Sequence, residues 1–138
     1  MRLLLDTQLV VWAGLAPERI DDTTRHLLEE ADLLVSAASV WELAIKQGQG
    51  KLDLGSPVGE YVRRASAELG AVRTSVTVEQ ASAVEELPLI HRDPFDRLLV
   101  VQAHDLGATL LTADRTLAAY GPVVEVVQAG ASRQLPRG

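Results

Sequence analysis

The chain has 138 residues, 47% of them hydrophobic and 23% charged, with no cysteine and a mean hydropathy of +0.10. That length buries roughly 68% of the unfolded surface without help from a disulfide or structural zinc, and the absence of cysteine excludes thiolate catalysis and Cys-based zinc sites. Nineteen acids against thirteen bases give a formal charge of −6, which argues against a strong nonspecific DNA binder yet allows clustered acids to form an internal metal site.

Neither early apolar stretch, Leu3 to Leu5 or Leu9 to Ala16, approaches the roughly 18 residues of a membrane span. No signal-peptide pattern is convincing, so a soluble protein of the cytoplasm is expected. In chain order, Arg2 to Leu5 reads as a buried strand ending at Asp6, followed by a helix from Thr7 whose Leu9, Val10 and Trp12 face inward. Asp21 or Asp22 caps a second helix through Ala31, and Leu33 to Val35 forms a strand stopping at Ser36. A third helix is predicted from about Ser39 to Gln47, broken by Gly48 and Gly50, then a fourth from Pro57 to Leu69 closed by Gly70. Val72 to Val76 is the next strand, and Thr77 with Gln80 gives a capping box for a helix to Leu87. Pro88 ends that helix. His91 and Arg92 read as loop, and Asp93 with Pro94 starts a helix running to Asp105 before Gly107. Ala108 to Leu111 is a strand, Asp114 to Tyr120 a short helix and Val123 to Val127 a strand, while residues 129–138 read as a frayed tail.

This alternation predicts an α/β fold: a three-layer parallel sheet of about five strands with helices on both faces, in a single domain over residues 1–128. In such sheets ligands bind at the carboxyl ends of the strands. Four acids fall there: Asp6 after the first strand, Glu42 in the first turn after the second, Asp96 after Pro94, and Asp114 after the fourth. Asp93 is a candidate fifth. Each has a structural explanation as well, since Ser39 with Glu42 fits a capping box, and Asp93 and Asp114 fit helix N-caps. Taken together, four converging carboxylates repel one another unless protonated or neutralised by a cation, and hard ions such as Mg²⁺ or Mn²⁺ take such oxygen ligands.

The runs Leu3-Leu4-Leu5-Asp6-Thr7, Ser36-Ala37-Ala38-Ser39-Val40-Trp41-Glu42-Leu43, His91-Arg92-Asp93-Pro94-Phe95-Asp96-Arg97-Leu98-Leu99 and Leu110-Leu111-Thr112-Ala113-Asp114 together resemble a PIN domain, specifically the VapC-type ribonuclease toxins of bacterial toxin–antitoxin pairs. The likeness extends from Leu3 to about Val127 and is most specific from His91 to Ala103. It implies a metal-dependent endoribonuclease in which Asp6, Glu42, Asp96 and Asp114 match the family's metal-binding and catalytic acids and Asp93 a variable extra one. It further implies Mg²⁺ with Mn²⁺ as substitute, an RNA substrate such as transfer RNA, homodimerisation, and an antitoxin whose basic side chain blocks the acidic pocket. Gln8 departs from the pattern, since many relatives have His or Asn there.

Other features have simpler readings. His26, His91 and His104 lack zinc-ligand spacing, and His91 is a candidate for the pocket rim. Trp41 and Phe95 are expected in the core, the aromatics being too few for a stacking platform. Arg92, Arg97 and Arg115 flank the acids and are candidates for phosphate contacts or surface pairing, while Lys46, Lys51, Arg63 and Arg64 suggest a second basic patch bordering the cleft. Apolar residues surrounding one turn, Leu9 to Trp12, suggest that part of the first helix is an interface. The competing functions are another Mg²⁺-dependent α/β phosphotransfer enzyme, which lacks its second acid at Gln8, and an inactive PIN-like binding module.

Overall fold

The computed structural model describes residues 1–127. Five parallel strands form one sheet in the order β3-β2-β1-β4-β5, with β1 at Arg2–Leu5, β2 at Asp32–Ser36, β3 at Val72–Thr74, β4 at Thr109–Thr112 and β5 at Val124–Val126. Helices α1 (Thr7–Leu15) and α2 (Asp22–Glu30) lead from β1 to β2, α3 (Ala37–Gly48) and α4 (Val58–Leu69) from β2 to β3, and α5 (Val78–Ala83) and α6 (Pro94–Asp105) from β3 to β4. Three 3₁₀ segments, Pro17–Arg19, Val84–Glu86 and Arg115–Tyr120, complete the described chain. The proposed tail at residues 129–138 lies outside the described residues.

Strand β1 is central, which explains its unbroken leucines: both faces are covered, so alternation with polar residues is not needed. Leu3 and Leu5 enter a core shared with Leu9, Val10 and Trp12 of α1 and Tyr61 and Val62 of α4. Leu4 points the other way, into a core with Leu99, Val100 and Ala103 of α6 and Leu117. The three layers read from the sequence are therefore present. The chain runs from β1 outward through β2 to β3, then crosses to β4, so the direction of winding reverses between β1 and β4. Ligands of open α/β sheets bind at such a reversal. No helix among the described residues is long and apolar enough to cross a membrane.

Several boundaries differ from the sequence reading. Helix α3 begins at Ala37, because Ser36 keeps an extended conformation and its side chain accepts a hydrogen bond from the Ala38 N–H at 2.9 Å. Ser39 is thus inside the helix and fully buried, accepting from the Thr7 hydroxyl at 2.8 Å, and the Ser39–Glu42 capping box does not form. Strand β3 stops at Thr74, and α5 gives way after Ala83 to a 3₁₀ turn. The Thr77–Gln80 capping box does form. The apolar turn of α1 is spent within the molecule: Leu9, Val10 and Trp12 are buried and Val11 packs against the same core. Three of the four apolar residues of that turn are thus buried, and Val11 is half-buried.

Candidate metal centre

Because β1 and β4 are paired in register, their carboxyl ends place Asp6 beside Thr112, and the Asp6 N–H donates to the Leu111 carbonyl at 3.0 Å. Asp6 caps α1 and is buried, with its Oδ2 accepting from the Thr112 hydroxyl. Thr112 Oγ1 in turn accepts from the Asp114 N–H at 3.0 Å, so one threonine fixes both acids. Gln8 contributes its backbone N–H to Asp6, while its side chain is exposed at the outer surface.

Helix α3 delivers Glu42, nearly two turns beyond the Ser36 cap and 6% exposed. Its Oε2 accepts from Lys46 Nζ at 2.7 Å, the i,i+4 arrangement that helical geometry favours. Its Oε1 is buried without a hydrogen-bond partner among the described residues. Of the basic patch expected to border the cleft, Lys46 stands against the acids, and its bond to Glu42, followed by the charges of Glu42, Asp93 and Asp96, raises its pKa against the opposing effect of burial.

Helix α6 supplies the remaining acids. Asp93 is its N-cap, accepting from the Phe95 and Asp96 N–H groups at 2.8 and 3.1 Å, with Pro94 at the first helical position as the sequence suggested. Asp96 faces inward. Burial raises its pKa first, and the charges of Asp6, Asp93 and Glu42 add to this against a lowering by His91, to about 7. Asp6 is also raised, chiefly by burial and in part by Glu42, although hydrogen bonds from Thr112 and the backbone oppose it. Asp114 goes the other way: burial tends to raise it, but bonds from Thr116 and His91 outweigh this and hold it below the ordinary carboxylate value.

His91 is not a bystander at the rim. Its Nδ1 accepts from the Asp93 N–H at 3.1 Å, so the neutral ring carries its proton on Nε2, which lies 3.1 Å from Asp114 Oδ2 and 3.8 Å from Asp96 Oδ2. Among the described residues, His91, Asp96 and Asp114 each offer a ligand atom, and these atoms lie within 4.8 Å of one another. In this tautomer His91 holds Asp114 in place by donating to it. His26 and His104 are exposed and outside this group.

Asp6, Glu42, Asp93 and Asp96 thus feel one another's charge, and His91 links Asp96 to Asp114. Two observations fit a hard divalent cation there: a buried carboxylate oxygen of Glu42 with no donor among the described residues, and an Asp96 carboxyl raised to about 7 by burial first and then by the charges of Asp6, Asp93 and Glu42. Arg97 is not among the phosphate-facing groups. Its guanidinium donates to the carbonyls of Val84, Leu87, Pro88 and His91 and to the Tyr120 hydroxyl, pinning the segment before α6. Residue spacing does not reveal the network behind the acids either. Gln102, fully buried, accepts from the Ser36 hydroxyl and donates to Ser75 O at 3.1 Å and Gln80 Oε1 at 2.9 Å, joining β2, α5 and α6.

A family model described as PIN domain matches residues 3–121. The chain belongs to the PIN-domain family. Over 119 residues it is 31% identical to Ribonuclease VapC22 of Mycobacterium tuberculosis, an alignment that covers 86% of this chain and 91% of that one, so within the PIN family it is VapC-like. The PIN fold is seen also in solved structures. A chain of VapBC2 from Rickettsia felis, bound to a DNA fragment from its promoter, superposes with a TM-score of 0.69 at 16% identity, covering 94% of this chain and 99% of that one. A chain of FitAB bound to an IR36 DNA fragment gives 0.62 at 19% identity, covering 90% and 94%. At these identities the structural likeness speaks to the fold alone.

Proposed function

We propose that this PIN-domain protein is a divalent-cation-dependent endoribonuclease, the toxin of a type II toxin–antitoxin pair. The observation that carries the reading is Glu42, a buried carboxylate with one oxygen unpartnered, lodged against the charges of Asp6 and Asp96. Asp6, Glu42, Asp96 and Asp114 hold Mg²⁺, or Mn²⁺ in its place, with Asp93 adding charge at the edge. Bound there, the cation supplies an activated water and neutralises charge on the phosphoryl oxygens during phosphodiester hydrolysis. The chain's own groups prepare the site. Thr112 orients Asp6, His91 orients Asp114, and the Ser36–Gln102 network fixes the base of α3 relative to α6.

The substrate is RNA, with structured RNA such as transfer RNA as the target class, and the products carry a 5′-phosphate and a 3′-hydroxyl. The protein acts in the cytoplasm as a homodimer and is held inactive by a cognate antitoxin that presents a basic side chain to the acids. The antitoxin assignment is supported by VapBC2 and FitAB, whose names each join two components.

The test is cleavage of transfer RNA by purified protein with Mg²⁺ or Mn²⁺. Cleavage stops in EDTA, and Asp96→Asn loses at least roughly 100-fold in rate. Undiminished cleavage in excess chelator, or cyclic phosphate ends on the products, overturns the metal-water mechanism.

A further inference from the structure

Trp41 lies beside Glu42 on α3 but projects outward, 62% exposed, instead of entering the core as its size predicts. Its ring meets Phe95, the neighbour of Asp96 on α6, in an edge-to-face contact with centroids 5.2 Å apart and planes at 72°. The two aromatics are thus each one residue from a pocket acid, on the two helices that flank the pocket. Beside Trp41 runs a groove of about 330 Å³ lined by Val40, Ala44, Arg73, Thr74 and Ser75 among others. Thr74 ends β3 in register with Ser36 at the end of β2, so the groove opens on the same edge of the sheet as the acids.

Charge within this groove is opposite to that of the pocket. Arg73 is its one charged lining residue, exposed and without an ion-pair or hydrogen-bond partner among the described residues. In a chain of net charge −6, an unpartnered guanidinium beside an open indole is a pairing that suits an unstacked nucleobase with its phosphate. Aromatic faces bind bases of any sequence, and a single-stranded backbone is tracked by cations. The geometry points to a nucleobase subsite: Trp41, braced by Phe95, stacks on an unpaired base of the RNA strand next to the scissile phosphate, and Arg73 contacts that strand's backbone. The inference rests on the ribonuclease reading and extends it to the way the strand is gripped.

Trp12 is buried, so quenching of tryptophan fluorescence by an added oligonucleotide reports on Trp41. The full chain is titrated in EDTA with a uridine decamer and with an abasic decamer of the same length, and Mn²⁺-dependent cleavage of transfer RNA is measured in parallel. The uridine decamer quenches and the abasic strand does not. Trp41→Ala raises KM about tenfold with kcat within about twofold, in the range for losing one stacked base, while Trp41→Phe recovers most of the loss. Arg73→Ala makes the dependence of log Kd on log salt shallower by about 0.7, the share of one single-strand phosphate. If the wild type cleaves RNA and Trp41→Ala has the same KM, the subsite is overturned and the ribonuclease reading stands. Conversion of a dimer to a monomer by Trp41→Ala with KM unchanged overturns it too, and assigns the patch to a contact between copies. If the wild type neither quenches nor cleaves, the ribonuclease reading falls and the subsite with it.

Discussion

Burial, reinforced by the charges of Asp6, Asp93 and Glu42 and opposed by His91, lifts the Asp96 carboxyl from 3.8 to about 7. Between those values the folded protein holds a proton that the unfolded chain has released, so stability falls as pH rises. The contribution is complete below 3.8 and is lost as pH passes through about 7. Without added cation, the melting temperature therefore decreases from about pH 5 to about pH 8, and Asp96→Asn flattens that slope. An unchanged slope in the variant would show that another group is responsible. Cation binding must displace the same proton, so calorimetry in buffers of different ionisation enthalpy detects release near pH 6 that fades at higher pH. Glu42→Gln probes the neighbouring group. It removes one of the charges that raise Asp6 and Asp96, so the Asp96 titration followed by NMR moves down in pH, while Mn²⁺ affinity drops by roughly tenfold. Affinity and titration both matching wild type would reduce Glu42 to a partner of Lys46.

At the level of elements, α1 and α4 meet where a side chain cannot be added. A Cβ on Gly14 would lie 2.8 Å from Tyr61 Cζ and 2.9 Å from Cε1, and nearer still to the hydroxyl oxygen. Tyr61 cannot readily retreat, since it is 2% exposed and its hydroxyl donates to Val10 O at 2.8 Å. Gly14→Ala gains up to ~1 kcal/mol of helix propensity but forces an overpacked core, which costs about 1–3 kcal/mol. Chemical denaturation should show a net loss, and a gain would mean that the helices separate freely. Neither this contact nor several others was legible in the sequence. Strand and helix alternation was, because β1 and β2 are short apolar runs closed by polar residues that become caps. The start of α3 was not: Ser36 and Ser39 are both good caps, and only the path of β2 selects the first. Trp41 departs from its expectation because the polar face of α3, with Ser39 and Glu42, turns inward to the site, which leaves apolar Ala37, Trp41 and Ala44 outside. The acids were legible as strand-end and helix-start residues. His91 and Lys46 were legible as residues bordering the acids, but the bonds by which they and Thr112 hold those acids were not, because these depend on elements distant in sequence or on a pairing that spacing alone leaves ambiguous.

For the molecule as a whole, the topology gathers repulsion at one place. The winding reverses between β1 and β4, and the acids of β1, α3, α6 and the β4 end meet there in a chain already at −6. The fold partly offsets this with its own cation, Lys46, whose ammonium bonds Glu42 and feels Asp93 and Asp96. Lys46 is half exposed, so its benefit is screened by water, yet it stands against the same carboxylate that the proposed cation site uses. A bound cation stabilises every element that supplies a ligand, by about 2.7 kcal/mol at a concentration a hundredfold above Kd, or roughly 10 °C for a domain of this size. Lys46 and the ion then compete for Glu42, which predicts opposite effects from one substitution. Lys46→Ala lowers the melting temperature in EDTA, because the acids lose their internal counter-charge. The same variant shows a larger Mn²⁺-induced rise than wild type at equal Mn²⁺, because Glu42 no longer has to release an ammonium before it can bind. Melts of both proteins across a Mn²⁺ titration read the two effects separately. A lower melting temperature combined with a smaller Mn²⁺ shift would mean that Lys46 helps to build the cation site, and competition at Glu42 would be wrong.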